Sequence, residues 1–151
     1  MADYNDTYGV SAGAAAFPWD THCVSRFTAV LNFDNIAKAR AVAGAPDLAA
    51  GDTLAVMSVP KGAVILGASV AVERAEVAAP TATLDFGALA GTPVAANAFG
   101  AAVPLNATGL TPAAMTAPVV VTADGVLNVK LNTAVPKDAI VRLTVVAASV
   151  A

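Results

Sequence analysis

Charge is what this sequence has least of. Asp, Glu, Lys and Arg together make up 13% of 151 residues, about half the share of ~25% usual in globular domains. The eight Lys and Arg are scattered singly along the chain. A nucleic-acid surface needs several cations on one face to neutralise phosphates, so nucleic acid is not an expected partner. There is one cysteine, Cys23, and no disulfide can therefore close within the chain. The single histidine, His22, stands beside it. The two supply at most two of the three or four ligands that a zinc site takes. Neighbours along a strand point to opposite faces, so the pair does not read as a nucleophile with its base. Glu73 and Glu76, three apart at the end of a strand-like run, read as a solvated turn. No Gly-rich phosphate loop, nucleophile elbow or helical metal motif occurs. The expectation is a chain with no catalytic residue, no metal and no cofactor.

Long unbroken apolar runs are missing too, although hydrophobic residues make up 57% of the chain and mean hydropathy is +0.68. The 38 alanines account for most of that score. Between Asp85 and Asp124 no charge occurs for 38 positions, but Pro93, Pro104, Pro112, Pro118 and four glycines interrupt the run. That composition reads as a long uncharged loop over residues 87–117, not as a membrane-spanning helix. The opening MADYNDTYGV carries acids and no basic residue, which is not the pattern of a secretory signal. A chain of this length suggests one domain. Its charge is too sparse to cover a monomer in the usual way, so much of its surface is expected to face other protein.

What is present is mostly strand patterning. Residues 1–23 show no period and read as an extended N-terminal arm, with three of the eight aromatics falling between Tyr8 and Trp19. Val24 to Ile36 alternates, with Phe27, Ala29, Leu31 and Phe33 on one side. AKARAVAGAPDLAAG follows as a short helical turn or a loop ended by Gly44 and Pro46. Further strands are expected at Thr53–Val59, Ala63–Glu73 and Thr81–Phe86. PVVVTA then leads into Asp124-Gly125, a dipeptide favoured in tight hairpins. Val126–Thr133 alternates with Leu127, Val129 and Leu131 inward, and the last strand does so with Val141, Leu143 and Val145 on one face. About seven short strands with turn signals predict an all-β, antiparallel sandwich or jelly roll over residues 24–151.

One stretch occurs nearly twice. VPKGAVI at Val59–Ile65 returns as VPKDAIV at Val135–Val141, offset by 76 residues with four of seven positions identical. Proline sets φ for the second turn position, and Gly62 or Asp138 suits the unusual dihedrals that follow. A lone lysine at each tip brings no converging partners, so the repeat reads as a hairpin corner used twice and not as a binding motif.

The order of Ala50-Gly51-Asp52, an apolar strand, the VPKG turn, Thr83–Gly87 (TLDFG), LNVKLNT and an apolar last strand resembles small virion proteins of tailed bacteriophages. These are of the capsid decoration or cement type, and the likeness spans roughly Leu48–Ala148. It implies a β-sandwich, no enzymatic activity, and a homotrimer on the capsid surface that bridges subunits of the major capsid protein, assembled in the host cytoplasm. The N-terminal arm would reach across capsid subunits. A tail, fibre or cell-surface β-module is the alternative. On either reading the expected protein-contact residues are Tyr4, Tyr8, Phe17 and Trp19 in the arm and Phe99, Leu105, Leu110 and Met115 in the loop.

Overall fold

A computed structural model describes residues 3–4, 10–12, 24–87 and 97–149. Two sheets face each other. The first has the strand order β1 (Asp3–Tyr4), β4 (Thr53–Val59), β10 (Gly125–Leu131), β6 (Thr83–Gly87), β7 (Gly100–Pro104). The second runs β2 (Val10–Ala12), β3 (Val24–Asn32), β11 (Ile140–Ser149), β5 (Ala63–Arg74), β8 (Gly109–Pro112), and β9 (Val119–Val120) also pairs with β5. All pairings are antiparallel except β1 with β4. The expected all-β sandwich is thus the observed architecture.

The period-2 residues fill the space between the sheets. Phe27, Leu31, Val141, Leu143, Val145 and Ile65 come from the second sheet, and Leu54, Leu84, Phe86, Leu127, Val129 and Leu131 from the first; all are buried. In β5 the inward set changes parity, from Ala63 and Ile65 to Val70 and Val72. A bulge causes this: Ile65 lies opposite Ala147 and Gly67 opposite Val146, which leaves Leu66 as the extra residue. An inserted residue flips every later side chain to the other face.

The strand expected to continue to Ile36 ends at Asn32, and α1 (Phe33–Ala43) begins there. Asn32 is the reason. Its backbone is extended, and its side chain accepts the Asn35 N–H at 3.2 Å, satisfying one of the free donors of the first turn. Phe33 and Ile36, three apart, both face the core. Gly44 then stops the helix in the left-handed region at φ 68, its N–H donating to the Ala41 carbonyl. Arg40, near the end of this helix, is buried; its Nε and Nη2 donate to the Pro46 carbonyl at 2.9 and 2.7 Å and tie down the following loop.

Both copies of the repeated heptad are corners, but not hairpin corners. Val59–Gly62 joins β4 of the first sheet to β5 of the second, and Val135–Asp138 joins β10 of the first to β11 of the second. β4 pairs antiparallel with β10 and β5 with β11, so the two crossovers lie at opposite ends of the sandwich, each passing from the first sheet to the second. Gly62 takes φ 90, whereas Asp138 stays out of the positive-φ region. Asp124-Gly125 is not a hairpin tip either. β9 before it belongs to the second sheet and β10 after it to the first, and Gly125 does not adopt positive φ.

The corners are locked by carboxylates from distant parts of the chain. Asp124 Oδ1 accepts the Lys61 N–H at 2.8 Å. Glu76 Oε2 accepts the N–H groups of Lys137, Asp138 and Ala139 at 2.8, 3.0 and 3.0 Å. Lys61 and Lys137 are equivalent positions of the repeat, so the same backbone donor is captured at both corners. Glu76 is not a solvated turn residue as the sequence suggested: it is only 2% exposed. Its Oε1 accepts the Ala79 N–H at 3.0 Å, which satisfies the second oxygen.

The expected uncharged loop over 87–117 is not a single loop. Its described residues form β7 on the first sheet and β8 on the second. Alanine, glycine and proline lower strand propensity, but both strands lie at sheet edges, where a ladder on one side suffices.

Candidate interaction surface

The two outer faces of the sandwich differ in chemistry. On the first sheet, Lys130 lies opposite Thr53 on one side and Asp85 on the other. Asp85 Oδ1 accepts from the Ala102 N–H at 2.7 Å and from Asn132 Nδ2 at 2.9 Å. Ser58 and Asn128 extend this polar surface.

The second sheet presents rows that can be read across its strands from the register. Val24, Ala148, Val64 and Val120 form one row over β3, β11, β5 and β9. Thr28, Thr144, Ser69 and Pro112 form another, and Val30, Arg142, Ala71 and Leu110 a third. The charges here are few. Arg142 pairs with Glu73, which raises its guanidinium further above the usual arginine value, and Arg26 lies opposite Val146. Val24 and Val120 are each 60% exposed, and Leu66, displaced by the bulge, is 42% exposed. The face is built mainly from β-branched and small residues. Water gains nothing from it, and a complementary protein surface does.

The sequence-expected contact residues scatter over this framework. Tyr4 lies in β1, while Tyr8, Phe17 and Trp19 fall outside the described residues, as do His22 and Cys23. Phe99 and Leu105 are core residues with no exposed surface, and Phe99 packs against Phe86 with ring centroids 5.7 Å apart. Their side chains are used by the fold and are not free to meet a partner. Met115 is half-buried against the same core. Leu110 alone among the four loop residues stands clear, 67% exposed, on the outer face of the second sheet. Sequence reasoning missed most of this face, because its members sit in five strands and come together only through pairing. The signal available was the outward half of each alternation: in β11, Val146 and Ala148 are as apolar as the inward residues.

A groove of about 550 Å³ lies between α1 and the second corner, lined by Phe33, Asp34, Ala37, Arg40, Asp47, Leu48, Val135, Pro136 and Lys137. Asp34 is paired with Lys38 at 2.6 Å and Arg40 with the Pro46 carbonyl, so these two charged groups of the groove are already engaged. Among the described residues no group of three or more His, Cys, Asp or Glu is placed to hold a metal, and no helix is long and apolar enough to cross a membrane.

No protein-family profile matches the chain, and no curated protein does. Solved structures do. A chain in the capsid of Ralstonia phage GP4 superposes with a TM-score of 0.63 at 19% identity, over 91% of this chain and 92% of that one. A chain in the acidic stable capsid structure of Helicobacter pylori bacteriophage KHP30 gives 0.58 at 16% identity, over 92% of each. A chain in the capsid asymmetric unit of cyanophage Pam1 gives 0.56 at 19% identity, over 97% and 91%. The protein is a β-sandwich of the kind found in chains of phage capsids, and it shares that fold over nearly its whole length.

Proposed function

We propose that this protein is a structural component of a bacteriophage capsid, with no enzymatic activity. It acts as a decoration or cement protein that bridges subunits of the major capsid protein and holds the shell against internal DNA pressure. The observation that carries this reading is the outer face of the second sheet, where Val24, Leu66, Leu110 and Val120 stand exposed. Chain-long likeness to proteins in three phage capsids supports the setting. The working unit is a homotrimer, so that three modest contacts act together and the avidity of the assembly exceeds that of any one face. Attachment is from outside the shell, with the second sheet toward the major capsid protein.

The test is the composition of purified virions. Quantitative mass spectrometry is expected to find this protein in hundreds of copies, in a fixed ratio to the major capsid protein. Mild denaturation that strips it is expected to leave shells that lose DNA at lower temperature. A few copies per particle, released with the tail, would replace this reading by the tail or fibre alternative.

A further inference from the structure

Among the described residues, β7 and β8 are each the last strand in the order of their sheet, and they approach one another on one flank of the sandwich. An edge strand leaves every second N–H and C=O unpaired, so a regular edge is a template for a further strand. β7 and β8 are exposed along most of their length, yet few such donors remain on them. The Leu105 N–H, just past β7, donates inward to the Ala82 carbonyl at 3.1 Å. Alternation then turns the Val103 N–H inward as well and leaves the open edge to Ala102 and Pro104. Pro104 has no N–H. The Ala102 N–H is taken by Asp85 Oδ1 at 2.7 Å. β8 follows the same plan. The Ala113 N–H donates inward to the Ala68 carbonyl at 2.9 Å, so the outward position before it belongs to Pro112. Of the outward positions on β8, only Leu110 keeps a donor.

The capture of Ala102 takes a special backbone. Phe86 lies opposite Gly100 and Leu84 opposite Val103, so Ala101 and Ala102 together face Asp85. One of them is an inserted residue, and the strand bulges there. Ala102 adopts φ 45, and among the described residues it is the only non-glycine residue with positive φ. Alanine enters that region at a cost. Asp85 alternates with buried Leu84 and Phe86, so its carboxylate stands on the outer face of the sheet. The Ala102 N–H is drawn onto that face and away from the edge.

We infer that the β7–β8 flank is built against strand addition. The bulge, the Asp85 carboxylate, Pro104 and Pro112 withdraw the donors through which two copies of this chain would pair edge to edge. Assembly then uses other surfaces of the sandwich. This inference stands apart from the shell role.

The full-length Asp85→Ala/Pro104→Ala variant tests it by restoring both outward donors of β7. It is expected to stay folded by circular dichroism and to form assemblies beyond those of wild type, about tenfold more abundant by sedimentation velocity at about 1–100 μM. In those assemblies the new amide at position 104 is expected to be protected from hydrogen exchange. Asp85→Asn keeps an acceptor in the same place and is expected to sediment as wild type does. If the double variant does not fold, Pro104→Ala/Pro112→Ala, which leaves the Asp85 bonds intact, is expected to associate in the same way. Folded variants that sediment as wild type, or that associate with the position 104 amide still open to exchange, would overturn the inference. Failure of both variants to fold would assign these residues to folding itself and overturn it too.

Discussion

Glu76 and Lys137 stand 61 residues apart in sequence, and the buried carboxylate of the first accepts the backbone N–H of the second at 2.8 Å. The same carboxylate oxygen also takes the next two N–H groups, so one side chain closes the whole β10–β11 corner. Replacing Glu76 with Ala leaves these donors without an acceptor. The expected loss is about 3 kcal/mol or more, from an unmet-donor cost of ~1–3 kcal/mol each where burial is deep. Asp124→Ala, at the exposed equivalent corner, is expected to cost about 1 kcal/mol. Chemical denaturation of the two variants checks both the sign and the order.

Acid is expected to loosen the same corner through Asp138. Its carboxyl is held below the usual carboxylate range, first by hydrogen bonding with the Glu76 carboxyl and then by the Val77 N–H, whose bond to Oδ1 is 3.1 Å. A depressed folded value means that the ionised form favours the fold. That contribution is complete above the unfolded value of about 3.9 and is lost as pH falls through the lower folded value. Thermal midpoints of wild type and Asp138→Asn are therefore expected to converge as pH drops from 5 toward 2. Parallel curves over that range would contradict the assignment.

Phe99 and Leu110 separate folding from contact. Phe99→Ala removes one ring of the buried Phe86–Phe99 pair and is expected to destabilise the domain by about 3–5 kcal/mol. Leu110→Ala, exposed on the sheet face, is expected to change stability by no more than about 0.5 kcal/mol. It is also expected to weaken binding to empty shells measured by co-sedimentation. A Leu110 variant that binds as well as wild type would remove this corner of the face from the contact.

Charge placed on the outer face of the second sheet should act on attachment and spare the fold. A Val24→Glu/Val120→Glu double variant is expected to keep its circular dichroism and to lose at least tenfold in shell occupancy. Ser58→Glu, on the polar face of the other sheet, is the matched control and is expected to bind normally. Equal binding by all three proteins would show that the second sheet does not face the shell.

Inward alternation made much of the sandwich legible. Leu127, Val129, Leu131, Val141, Leu143 and Val145 are all buried as their spacing predicts, because period-2 burial is a local property of a strand. What was not legible depended on partners far along the chain. Asp124-Gly125 carries the chemistry of a hairpin but lies between two sheets, since β9 finds its ladder on β5. Glu76 reads as a surface residue until three N–H groups from 61 to 63 residues away gather on it. The motifs behind the phage resemblance prove to be structural devices as well. Asp52 accepts the Ala49 N–H at 2.7 Å in the AGD turn, and Asp85 of the TLDFG strand ties β6 to Ala102 and Asn132. They mark a fold, and the proposed contact face, made from the unpatterned outward residues of several strands, carries no comparable signature.

The paired corners also set a timetable. Each is fastened by a group 61 to 63 residues distant, and β5 finds its long partner β11 only at the end of the chain. During synthesis the first corner, complete by Ala63, has no Asp124 to hold it, and Glu76 has no second corner to cap. The first sheet has no central strand before β10 emerges and the second none before β11, so folding is expected to be slow and all-or-none, as in other chains dominated by distant pairings. Until then the apolar strands are exposed, and the cell's chaperones have their longest opportunity to meet this protein.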